Sequence, residues 1–148
     1  MPQTAILLLG GLAIAALPYR VALAGGTTVT VELQDTTTSD ALQGMHMKLD
    51  HDSVKAGSVT FRVTNESKAL IHEMLVIRTD LPVTALPYDP KKDKFIESKV
   101  KSLGEVESLR PGASGQLTLN LKPGDYLLTC NQPGHLHAGQ WSKFTVTP

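Results

Sequence analysis

The sequence predicts an all-β sandwich. Three observations carry that expectation. Apolar residues alternate with polar ones along several short runs. Pro/Gly turn signals separate those runs, as at Pro111-Gly112 and Lys122-Pro123-Gly124-Asp125. Only one stretch shows helical spacing. About six or seven short strands punctuated in this way are the pattern of a sandwich domain.

The first 24 residues read as an export signal. Ile6 to Leu17 is an apolar run interrupted only by glycines, and Ala22-Leu23-Ala24 matches a small-residue cleavage site. The run falls short of the roughly 20 apolar residues that a membrane span needs, and no later segment is long and apolar enough for one. Residues 1–24 are therefore expected to be a cleaved signal peptide, with an uncleaved anchor or short membrane helix as the alternative. Residues 25–148 are expected to form one domain with a periplasmic destination.

The strands follow in order. Thr27 to Leu33 places Val29, Val31 and Leu33 on one face. Met45, Met47 and Leu49 alternate next, then Val59, Phe61 and Val63 after the Ala56-Gly57 turn. Leu70 to Ile77 is apolar on both faces apart from His72 and Glu73, which predicts a central strand covered on both sides. Leu117, Leu119 and Leu121 alternate. Tyr126 to Cys130 is a further strand, with Tyr126 packing and hydrogen-bonding at a sandwich corner, and Phe144 and Val146 mark the last one. One region departs from the pattern. Leu81 to Leu109 opens with Pro82, Pro87 and Pro90 and then becomes charged, with Ile96, Val100 and Leu103 at helical spacing. An inserted loop followed by a short helix over Asp93–Leu103, ended by Gly104, is expected there.

Charge excludes one class of partner. The chain carries 14 basic and 14 acidic residues. Arg20 is the only charged side chain in the first 24, so the remainder has a formal charge of −1. Near-neutrality with no basic block argues against nucleic acid. Cys130 is the only cysteine, so no internal disulfide is available. A lone thiol in an oxidising compartment is a dimer bridge, a liability or a protected ligand.

Cys130-Asn131-Gln132-Pro133-Gly134-His135-Leu136-His137-Ala138-Gly139-Gln140 favours the ligand. Cys130 ends a strand and Trp141 begins the next. Pro133-Gly134 tightens the turn between them, which bends His135 and Gln140 back toward the sulfur. A thiolate with two imidazoles and a weak fourth donor is the set used by electron-transfer copper sites. The loop supplies Cys130, His135 and Gln140. The second histidine must come from a neighbouring strand, and His72, in an otherwise apolar run, is the candidate. Zinc could use the same ligands, although structural zinc sites more often contain two or more cysteines. A buried structural thiol, a nucleophilic cysteine, a core His72 and a Gln140 that merely hydrogen-bonds the loop are the rival roles.

This Cys-x₄-His-x₄-Gln loop, with Asn65 and His72-Glu73-Met74-Leu75-Val76 upstream, resembles the cupredoxin family of blue copper proteins. The resemblance spans about Lys48 to Pro148. It implies a Greek-key β-sandwich, one copper per chain held by His72, Cys130, His135 and Gln140, and one-electron transfer to a transient redox partner. It implies no enzymatic activity and a monomer with no membrane span. Glutamine stands where methionine is usual, which resembles the stellacyanin-like variant. An amide oxygen is a harder donor than a thioether and should favour Cu(II). His135 is expected nearest the surface, inside an apolar rim of Pro133, Leu136 and Ala138. The alternative function is copper buffering or tolerance, with Met45, His46, Met47, His51 and His137 as a second, looser site. Against that, alternation turns Met45 and Met47 toward the core and His46 toward solvent.

Overall fold

The computed structural model describes residues 26–36 and 44–148. The expected signal peptide, residues 1–24, lies outside the described residues. Among the described residues there are eleven strands: β1 (Thr27–Gln34), β2 (His46–Leu49), β3 (Ser53–Lys55), β4 (Gly57–Asn65), β5 (His72–Arg78), β6 (Tyr88–Asp89), β7 (Lys94–Phe95), β8 (Ser102–Leu109), β9 (Ser114–Leu121), β10 (Gly124–Thr129) and β11 (Trp141–Thr147). They form a four-stranded sheet ordered β2-β1-β4-β9, a five-stranded sheet ordered β3-β11-β10-β5-β8, and a small β6-β7 ribbon. The pairs β1/β4 and β3/β11 are parallel, and the other pairs are antiparallel. The expected sandwich is therefore present. No helix among the described residues is long and apolar enough to cross a membrane.

Alternation explains the core. Val29, Val31 and Leu33 of β1 and Val59, Phe61 and Val63 of β4 point inward from one sheet. Met74, Val76, Tyr126, Leu128, Phe144 and Val146 meet them from the other. Phe61 and Phe144 pack edge to face across the sandwich, their ring centroids 5.3 Å apart. The Tyr126 hydroxyl donates to the Lys122 carbonyl at 2.6 Å, closing the expected corner.

Strand β5 is buried from His72 to Ile77, and its two faces serve two cores. Met74 and Val76 join the inter-sheet cluster. Leu75 and Ile77 face outward, where Leu86, Phe95, Leu127 and Leu136 cover them. The 81–109 segment supplies much of that cover, and here the helical expectation fails. Asp93–Leu103 contains no α-helix. The segment instead has single 3₁₀ turns at Val83–Ala85 and Glu97–Lys99, the β6-β7 ribbon and the start of β8. Gly104 lies inside β8 and ends no helix. The spacing misled because Ile96, Val100 and Leu103 do not share one helical face: Ile96 and Val100 flank the Glu97–Lys99 turn, Val100 packs in the outer cluster and Leu103 packs against the inter-sheet core. Against β5, residues 72 and 74 pair with 109 and 106, and residues 76 and 77 pair with 104 and 102. Strand β8 thus carries an extra residue at each of two bulges. Ser108, with φ 46°, lies at one of them. The bulges set Leu103, Val106 and Leu109 against the inter-sheet core at intervals of three rather than two.

Candidate metal centre

Strand ends and short turns gather the predicted residues at one end of the sandwich. His72 is the first residue of β5, and Cys130 immediately follows β10. The loop from Cys130 to Gln140 is a chain of tight turns closed at its mouth. The Cys130 amide donates to the Gln140 carbonyl at 3.0 Å, and the Gln140 amide donates to the His135 carbonyl at 2.9 Å. Gly139 makes the last turn at φ 103°, where a Cβ would stand 2.5 Å from the Met45 carbonyl oxygen. Only glycine fits that position.

The donor atoms of His72, Cys130 and His135 all lie within 4.8 Å of one another, and this is the only such group among the described residues. The Cys130 sulfur is 3.4 Å from His135 Nδ1. The two imidazole rings are 4.8 Å apart, centroid to centroid. His72, Cys130 and Gln140 are fully buried, and His135 is 6% exposed, so the expected order of exposure holds. His72 Nδ1 and both side-chain amide atoms of Gln140 are buried without a hydrogen-bond partner. Buried polar atoms are rarely left so, and a cation held by the His72, Cys130 and His135 donors would satisfy His72 Nδ1. The donor set of one thiol and two imidazoles fits a transition metal of borderline softness.

Electrostatics support the same use. Burial pushes the Cys130 thiol up to about 12, although the backbone amides of Gln132 and Glu73 pull the other way. Burial, with His72 nearby, brings His135 down to about 4. Burial also lowers His72, against the opposing pull of Asp35 and then Glu73. Both rings are therefore neutral near pH 7 and available as ligands. The thiol needs a cation beside it before it ionises.

Buried polar residues tie the two ligand-bearing segments together. Glu73, next to His72, accepts from the Asn131 amide at 2.9 Å and from Gln132 Nε2 at 2.8 Å. Asn65 donates to the Leu70 and Leu109 carbonyls, both at 2.8 Å, and fixes the approach to β5. Asn131 exchanges hydrogen bonds with the backbone of Phe95, and Gly134 donates to the Asp93 carbonyl at 2.9 Å. The β6-β7 insertion thereby clasps the ligand loop. Sequence reasoning missed Asp35, whose Oδ2 accepts from His72 Nε2 at 3.1 Å. A signal existed: Val29, Val31, Leu33 and Asp35 are in phase, so a carboxylate continues the core-facing row.

Other expectations divide. Met45 and Met47 are buried and His46 is exposed, as alternation requires. His51 lies 3.1 Å from Asp50, and the His137 ring packs at a tilt against Tyr88, their centroids 4.4 Å apart. Leu136 is a correction. It is 4% exposed and packs in the outer cluster with Leu75 and Phe95. Of the expected rim, Pro133 is exposed and Ala138 half-buried, and His137 between them is exposed.

No family model matches this chain, and no curated protein matches it. Solved structures do. A reduced auracyanin from the photosynthetic bacterium Roseiflexus castenholzii is 22% identical with a TM-score of 0.59, over 83% of this chain and 98% of that one. Auracyanin A from Chloroflexus aurantiacus, a "blue" copper protein, is 19% identical with a TM-score of 0.55, over 83% of this chain and all of the other. Rusticyanin from Thiobacillus ferrooxidans is 15% identical with a TM-score of 0.55, over 81% of this chain and 76% of that one. With two sheets stacked in this order and the cysteine and two histidines drawn together at one end, the chain has the cupredoxin fold.

Proposed function

We propose that this chain is a mononuclear copper protein that accepts one electron from a donor protein and hands it to an acceptor. One observation carries the proposal: the sulfur of the lone cysteine and two neutral imidazoles meet in a buried cluster, with the unpartnered Nδ1 of His72 among the donors. His72, Cys130 and His135 are the ligands, and the Gln140 amide oxygen is the weak fourth donor. Copper bound there supplies a reversible one-electron couple between Cu(II) and Cu(I). The residues hold their positions through the exchange because both segments are pinned by Glu73, Asn65 and Asn131. A site that does not rearrange transfers electrons with little reorganisation. His135, the most exposed ligand, is the point of electron entry and exit. Pro133 and Ala138 beside it form a small patch suited to the brief encounters of redox partners. No substrate is bound and no bond is made, so the protein is a carrier and not an enzyme. Export through residues 1–24 to the periplasm completes the proposal.

The test is to add Cu(II) to the purified protein and record its visible and EPR spectra. The expected result is an intense thiolate-to-copper band with narrow hyperfine splitting, lost in Cys130→Ser. A colourless protein, or a band that survives Cys130→Ser, would overturn the proposal.

A further inference from the structure

We infer that Asp35 is a positioning residue for the metal centre, acting through His72 to set which oxidation state of copper the site prefers. The inference rests on the copper function proposed above and goes beyond its ligand set. Asp35 follows β1, on the opposite sheet from His72, and its side chain is 2% exposed. Its Oδ2 lies 3.1 Å from His72 Nε2.

A buried carboxylate beside a buried imidazole is a poor device for stability alone. Well-packed apolar residues of similar volume usually serve as well or better, because both polar groups must be stripped of water. Its chemistry is more specific. An ionised carboxylate only accepts hydrogen bonds, so Nε2 of His72 must carry the hydrogen. That leaves the Nδ1 lone pair bare, and Nδ1 is the buried atom without a partner. The hydrogen bond thus selects the tautomer that can bind a metal and fixes the plane of the ring. It also places a negative charge one imidazole away from the metal. That charge makes the ring a stronger donor and favours the more positive oxidation state. Asp35 and the amide oxygen of Gln140 therefore act in the same direction, toward Cu(II).

Two variants separate charge from geometry. Asp35→Asn keeps an oxygen acceptor and removes the charge. Asp35→Leu removes both at similar volume. Loss of an outer partner of a ligating histidine typically lowers metal affinity about 10- to 100-fold. Under chelator competition, Asp35→Leu should lose Cu(II) affinity by about that factor. In Asp35→Asn the Cu(I) to Cu(II) ratio at a fixed solution potential should rise, with the thiolate-to-copper band retained. In the metal-free protein, nitrogen-15 NMR of His72 should show a single tautomer protonated at Nε2, and in Asp35→Leu a mixture.

Unchanged affinity, ratio and tautomer in both variants would overturn the inference while leaving the copper function standing. A lower denaturation midpoint with no change in ratio or tautomer would overturn it too, because that is what a purely structural pair predicts. If Asp35→Leu fails to fold, the ratio in Asp35→Asn decides alone. If the parent protein gives no thiolate-to-copper band, the copper function falls and this inference falls with it.

Discussion

Gln140 is where one side chain carries the most chemical information about the centre. It is fully buried, and neither its amide oxygen nor its amide nitrogen has a partner. In the proposed copper site that oxygen is the weak fourth donor. Replacing it with methionine exchanges a hard oxygen for a soft thioether, which favours Cu(I). Gln140→Met should therefore raise the reduction potential in a redox titration. An unchanged or lower value would remove Gln140 from the coordination sphere.

At the scale of elements, the ligand loop works because its neighbours restrain it. Its turns are closed internally, Glu73 grips its first residues, and the β6-β7 ribbon holds Asn131 and Gly134. Gly139 is the tightest point, with positive φ and the Met45 carbonyl against it. Gly139→Ala should force the loop and the residue-45 backbone apart, at roughly 1–3 kcal/mol in chemical denaturation. It should also broaden or shift the copper spectrum, since Gln140 is the next residue. An unaltered spectrum and midpoint would show that the loop tolerates a Cβ there. The same scale shows why the insertion was hard to read. Ile96, Val100 and Leu103 are spaced like a helix face, but a 3₁₀ turn and two different clusters divide them, and the two bulges that break alternation in β8 are set by the partner strand rather than by local pattern.

For the molecule as a whole, holding two imidazoles neutral in a buried cluster has a consequence for stability. Histidines in the unfolded chain titrate near 6.5, whereas His135 in the folded chain is brought down to about 4, and His72 is lowered as well. Between those values the unfolded state binds more protons, so stability rises with pH and is lost as pH falls. The metal-free protein should lose stability from about pH 6.5 toward pH 4, with His135 contributing on the order of 3 kcal/mol. Urea midpoints measured across that range should fall steadily, and the slope should be shallower in His135→Gln. A flat profile would mean that these rings accept protons in the folded state without penalty.

The strand pattern, the sandwich corner at Tyr126, the two-faced burial of β5 and the Cys130–Gln140 loop were all legible from residue order. Each depends on short-range rules: alternation, turn chemistry and the spacing of donors within one loop. His72 could be nominated because a histidine inside an apolar strand stands out. What residue order alone left open was everything set by contact between distant segments. The tertiary structure decided that His72 meets Cys130 and His135, that Asp35 reaches His72, that Leu136 turns inward and that residues 81–109 divide into a ribbon packed on the outer face and a bulged edge strand of the five-stranded sheet. The physical reason is that alternation records which face of a strand is dry. It does not record which other buried group occupies the same space, and the donor cluster is made of such encounters.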